Sequence, residues 1–118
     1  MIEHIYSLII NEDPDIIVVE EMVVVRNAQV ARHLTMILGA ILGKCLDNEI
    51  YYSSLRPTEW RQLIDPGKKP RKRAELKEWS KQKVNELFRI DGIGDDIADA
   101  ILIGQAYINE YSNTIKSI

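Results

Sequence analysis

Cysteine is nearly absent: Cys45 is the only one in 118 residues. A single thiol excludes an internal disulfide framework and any C-x-x-C motif, and points to a reducing, cytoplasmic compartment. Histidine is almost as scarce. His4 and His33 have no second ligand at helical spacing, and neither is paired by the pattern with a serine, cysteine or threonine nucleophile. No apolar run approaches the roughly 20 residues of a membrane span, so no membrane association is expected. Met1 leads straight into Glu3 and His4, without the apolar stretch of a signal peptide. Gly92 and Gly94 are too sparse for a phosphate-cradling loop, and no strand precedes them. There is no internal repeat. Positive charge is not in excess either, with 15 basic against 18 acidic residues and a net charge of −3.

What is present reads as one small domain over residues 1–118. Hydrophobic residues make up 46% and charged residues 28%, a globular balance with room for a modest core. Ile2, Ile5, Tyr6 and Ile9 recur at helical spacing, and Glu12-Asp13-Pro14-Asp15 closes that helix. Ile16 to Val19 is a β-branched run of the kind buried on both faces of a sheet, and it delivers Glu20 at its C-terminal end. Open α/β sheets place ligand sites there, although a solvated acid at a strand end is the plainer reading. Met22 to Arg26 reads as a loop. Asn27 caps a helix running through Ala28, Leu34, Ile41 and Cys45. Gly39, Ala40 and Gly43 give that helix a smooth face, for packing on the sheet or for a second subunit. Glu49 to Ser53 reads as a second strand. Arg56-Pro57 opens a short helix with Trp60 and Leu63 facing inward and Arg61 to one side.

The basic residues are concentrated rather than spread. Lys68, Lys69, Arg71, Lys72 and Arg73 put five positive charges into six residues. Such a run is either a solvated loop or a phosphate contact, and mutual repulsion favours an anion nearby. Glu75 to Phe88 follows as an amphipathic helix with Leu76, Trp79, Val84, Leu87 and Phe88 on its apolar side. The last helix opens after Gly94 with Asp95 in the N-cap position. It carries Asp96 and Asp99 one turn apart on one face, above an apolar stripe of Ile97, Ala98, Ile101, Leu102, Ala106 and Ile108. Acids at a helix start are stabilised by the dipole, which accounts for Asp95. A second and third acid on one face, with Glu20 elsewhere and a basic block between, is a set of hard oxygen ligands suited to Mg²⁺ or Mn²⁺. Carboxylates beside phosphate-binding cations suit metal-assisted phosphodiester hydrolysis.

These residues carry a resemblance. The order Val18-Val19-Glu20-Glu21, Asn27 before a helix with Ala31-Arg32-x-Leu34 and Gly39, a strand, Arg56-Pro57-x-x-Trp60-Arg61, and finally Asp96-Ile97-Ala98-Asp99-Ala100-Ile101 resembles the RuvC family of Holliday-junction resolvases. The likeness spans nearly the whole chain. It implies a ribonuclease H-like α/β core in the order helix-strand-helix-strand-helices, a homodimer, and cleavage of four-way or other branched DNA in recombination and repair. By position it implies Glu20, Asp96 and Asp99 as catalytic metal ligands. Arg61 and Lys77 fall near the family's DNA-contacting basic residues, beside Lys68, Lys69, Arg71, Lys72 and Arg73. The chain departs from the family in having no G-I-D-x-S/T strand with a first catalytic aspartate. It is therefore expected to correspond to the C-terminal two thirds of that fold, N-terminally truncated. Two functions are open: a junction endonuclease, or a catalytically incomplete dimeric module that binds branched DNA or a protein partner.

Overall fold

A computed structural model of the chain describes residues 2–21 and 27–116, with side chains over 3–21 and 27–112. The loop expected over Met22 to Arg26 lies outside the described residues. The elements run α1 (Ile2–Glu12), β1 (Ile16–Glu20), α2 (Ala28–Asp47), β2 (Tyr51–Leu55), α3 (Pro57–Ile64), α4 (Arg73–Phe88) and α5 (Asp95–Lys116). The two strands pair in parallel. Among the described residues no helix is long and apolar enough to cross a membrane. The chain divides into two compact units, Met1–Ser54 and Leu55–Ile118.

In the first unit α1 packs on α2. Asp13, just before Pro14, takes a left-handed φ of 46° and closes α1, because proline disfavours helix in the residue before it. The Tyr6 hydroxyl donates to the Ala40 carbonyl at 3.3 Å, and the Lys44 ammonium lies 5.3 Å from the Tyr6 ring centroid. Asn27 caps α2 as expected, its Oδ1 accepting from Gln29 N at 2.9 Å and Val30 N at 3.3 Å. Ile9, Ile41, Cys45 and Ile50 form the core, with Ile5, Tyr6, Ile17, Ile37 and Tyr52 packed against it. Burial pushes the Cys45 thiol above its usual range. Ile16 to Val19 is half-buried rather than enclosed on both faces. The second strand starts two residues later than its β-branched composition indicates. Glu49 turns the chain at a φ of 55°, and Ile50 N bonds back to Cys45 O at 2.9 Å, plugging the core before the strand begins.

The second unit is helical, with α5 packed on both α3 and α4. Its buried apolar side chains are Leu55, Trp60, Val84, Ala98, Leu102, Ile103 and Ala106. Ala98, Leu102 and Ala106 are four apart and form a narrow line down α5. Small residues on that line let two helices approach at once. The wider stripe expected from sequence is therefore cut back, and Ile97 and Ile108 stand exposed, as do Leu87 and Phe88 on α4. Trp60 is wholly buried, with the Trp79 ring centroid 6.4 Å away at 41°. Asn109 ties α5 to the end of α3, donating to the Leu63 carbonyl at 3.0 Å. Lys83 on α4 pairs with Asp65 at 3.0 Å, fixing the turn after α3.

Candidate functional site

The acids of α5 gather at its first turn. The Gly94 carbonyl accepts from Ala98 N at 3.0 Å, so Gly94 holds the cap position and Asp95 is the first helical residue. This corrects the expected cap. Freed from capping, the Asp95 carboxylate faces α4, where Lys77 Nζ lies 3.6 Å away. Both groups are partly exposed, so the pair contributes little to stability and leaves Lys77 able to exchange partners. Asp96 is exposed on the same turn, and Asp99 is half-buried one turn further on.

Asp99 is where the three helices of this unit meet electrostatically. Burial pushes its carboxyl above the usual carboxylate range. A hydrogen bond from the Ser80 hydroxyl of α4 and the positive field of Arg61 on α3 pull it back, while Asp95 and Asp96 push it up again. The burial of Ser80 is not legible from its residue type alone. The signal that marks it is its place in the row Leu76, Ser80, Val84, where a polar residue interrupts an apolar line at four-residue spacing.

The expected DNA-contacting residues fall into two environments. Arg61 lies with its guanidinium carbon 4.9 Å from the Trp60 ring centroid. Its Nε is buried without a hydrogen-bond partner. Arg61 and Lys69 line one cavity of about 310 Å³ with Thr58, Gln62, Pro70 and Leu76. Lys69 is half tied down, donating to Gln62 Oε1 at 3.1 Å and to the Gly67 carbonyl at 2.6 Å. Lys68, Arg71, Lys72 and Arg73 are exposed. The run is not wholly a loop, since Lys72 is the residue before α4 and Arg73 its first helical residue. Glu20 ends β1 and is exposed, in the first unit.

The donor chemistry at α5 fits a hard divalent cation in part. Asp95, Asp96 and Asp99 are oxygen donors whose crowding a cation would relieve, and no thiol or imidazole competes within that turn. Among the described residues no three His, Cys, Asp or Glu side chains are grouped so as to hold a metal ion. Asp96 and Asp99 therefore fit as a portion of a donor set.

No family model and no curated protein matches the chain. The fold is nevertheless that of an α/β protein with a ribonuclease H-like core. Among solved structures it is similar to T. thermophilus RuvC in complex with a Holliday junction substrate. That match has 16% identity and a TM-score of 0.73, and it covers 96% of this chain and 65% of the other. A second T. thermophilus RuvC structure matches at 17% identity and a TM-score of 0.73, covering 96% of this chain and 66% of that one. This chain thus has a RuvC-like fold and spans about two thirds of the length of those chains.

Proposed function

We propose that the protein is a structure-selective endonuclease that hydrolyses phosphodiester bonds in four-way or other branched DNA with Mg²⁺ or Mn²⁺. The observation that carries this is the carboxylate turn of α5, with Asp96 and Asp99 one turn apart and Asp99 half-buried, on a RuvC-like fold. Asp96 and Asp99 would hold the metal. A bound divalent cation supplies an activated water and neutralises charge on the leaving oxygen. The chain's own residues do the rest. Exposed Lys68, Arg71, Lys72 and Arg73 engage phosphates without reading sequence. Arg61 and Lys69 present donors from one cavity. Ser80 and Arg61 favour the ionised form of Asp99, which a metal ligand must have.

The test is a gel shift and a cleavage gel on synthetic four-way junctions and on linear duplex of the same sequence. The expected result is junction-selective binding by the wild type, with Mn²⁺-dependent cuts that Asp96→Asn and Asp99→Asn abolish. Binding without any cleavage in Mg²⁺ or Mn²⁺ refutes the nuclease and leaves a module that binds branched DNA. We also propose a homodimer through α2, whose Val30, Leu34, Met36, Leu42 and Leu46 are exposed. Sedimentation at tens of micromolar, about the range in which weak interfaces still associate, should show the dimer, and only monomer there refutes it.

A further inference from the structure

We propose that the cavity between α3 and the segment that follows it, lined by Arg61 and Lys69, binds a terminal phosphate monoester, carried by a nucleotide or by the end of a DNA strand. The inference goes beyond the nuclease reading and stands whether or not the chain cleaves DNA.

The site is built by one helix face and a turn that folds back on it. Arg61 and Gln62 lie three and four residues after Thr58 on α3 and so share a face with it. The Asp65 carboxylate accepts from Gly67 N at 2.9 Å and pairs with Lys83 at 3.0 Å, which fixes the turn after α3. That turn brings Lys69 back to the helix. Its ammonium donates to Gln62 Oε1 at 3.1 Å and to the Gly67 carbonyl at 2.6 Å. An ammonium has three protons, so one remains for a ligand. Arg61 is held by stacking instead. Its guanidinium carbon lies 4.9 Å from the ring centroid of Trp60, which is wholly buried. Its Nε is removed from water and has no hydrogen-bond partner. Buried donors are normally paired and a guanidinium stays charged, so an anion beside Arg61 relieves both the charge and the unpaired donor.

Charge and size narrow the ligand. Neighbouring cavities along α4 carry carboxylates, Glu78, Glu86 and Asp91 in one and Glu75 and Glu78 in another. Among the described residues no carboxylate lines this one, whose walls are Thr58, Arg61, Gln62, Lys69, Pro70 and Leu76. Its volume of about 310 Å³ is at the small end of ligand pockets, roughly 300–1,000 Å³. A pocket of that size takes one group rather than a run of nucleotides. A phosphate monoester at neutral pH carries about −1.5 to −2 charge and three acceptor oxygens, which match two cations and the Thr58 hydroxyl. A phosphodiester inside a strand carries a single negative charge and fewer free oxygens. Pro70 and Leu76 add an apolar wall against which a sugar can pack.

The test is an amide NMR titration of the whole chain, without metal, using thymidine monophosphate, its methyl ester and thymidine. The monophosphate should shift the amides of Thr58, Arg61, Gln62 and Lys69. The methyl ester should bind roughly tenfold more weakly, about the worth of one hydrogen bond to a charged group, and thymidine should not bind. Lys69→Gln should weaken the monophosphate by a similar factor, and so should Arg61→Lys, which keeps the charge and loses the planar fork. Lys81→Gln removes a positive charge beside Glu78 on α4 and should leave the affinity unchanged. If Arg61→Lys does not fold, Lys69→Gln decides alone, since that side chain belongs to the turn. An oligonucleotide with a terminal phosphate that shifts the same amides names a strand end as the source, and one that does not names the free nucleotide. Equal affinity for the monophosphate and its methyl ester overturns the monoester assignment. Absence of shifts at these amides, or an equal loss in Lys81→Gln, overturns the site. Cleavage is read separately, on junctions with metal, so this inference and the nuclease reading fail independently.

Discussion

Replacing Asp99 with asparagine separates a metal-binding carboxylate from one that only decorates a helix start. The change keeps the size of the side chain and an oxygen for the Ser80 hydroxyl, and removes a charge that is half-buried beside Asp95 and Asp96. The folded chain holds the Asp99 proton more tightly than the unfolded chain, since burial raises its pKa. An acid raised in this way costs the fold stability once it ionises. The cost is absent in acid, appears as pH rises from the ordinary carboxylate pKa through the raised one, and is constant above that window. In chelated, metal-free buffer Asp99→Asn should therefore match wild type in acid and equal or exceed it at neutral pH.

Metal should reverse that order. A ligand that binds only the folded state stabilises it by RT ln(1 + [L]/Kd), or about 2.7 kcal/mol at a hundredfold excess over Kd. For a unit of this size that corresponds to roughly 10–20 °C in Tm. If asparagine weakens binding a hundredfold, the same Mn²⁺ concentration stabilises the variant by only about 0.4 kcal/mol. Thermal melts of both proteins with and without Mn²⁺ read the difference directly. Identical shifts in the two proteins refute the carboxylate site. An acid serving only the helix dipole predicts that outcome.

Two further perturbations have plain readouts. Neutralising Lys68, Arg71 and Lys72 together should weaken junction and duplex binding alike, and should lower the slope of log affinity against log salt by about 0.9 for each phosphate that the variant no longer neutralises; a gel-shift series in which the slope does not move removes the segment from DNA binding. Trp60→Ala empties the wholly buried position beside Trp79 and should cost about 3–5 kcal/mol in urea denaturation, whereas a loss under about 1 kcal/mol means the site collapses around the gap.

Much of the layout was legible because it rests on local signals. The order of elements follows from Pro14, the Ile16 to Val19 run, the Asn27 cap and Pro57 at a helix start. Asp96 and Asp99 stand out in the sequence by their spacing alone, which needs no knowledge of neighbours. What escaped depends on packing partners. Ile97 and Ile108 look as apolar as Leu102, but the buried side of α5 is limited to Ala98, Leu102, Ile103 and Ala106, so they stay in water. β2 starts later than its composition indicates because Glu49 turns through a left-handed φ to seat Ile50, a choice that composition does not encode. The burial of Ser80 is hidden for a similar reason. A serine between Trp79 and Lys81 on an amphipathic helix reads as surface until α5 is known to lie against it. Asp95 has the residue type of a cap, yet the chain starts its helix one residue earlier with the Gly94 carbonyl and releases Asp95 toward Lys77.

The fold and the candidate site are coupled through a methyl group. Ala98 sits between Asp96 and Asp99 in sequence, is wholly buried, and heads the line along which α5 packs. α5 packs on α3 and α4, and Ala98 is wholly buried one residue before Asp99. Ala98→Leu should overpack the contact and cost about 1–3 kcal/mol. It should also displace the start of α5, which carries Asp96 and Asp99, and weaken the Mn²⁺-dependent rise in Tm beyond what lost stability explains. Ala100→Leu is the control. It adds the same atoms two residues on, where the helix faces solvent, and should stay within about 0.5 kcal/mol of wild type with its metal response intact. Urea denaturation gives the first quantity and melts with and without Mn²⁺ the second. If Ala98→Leu is destabilised yet gains as much from Mn²⁺ as wild type, the carboxylate geometry does not depend on this helix contact, and the packing of α5 is a matter of stability only.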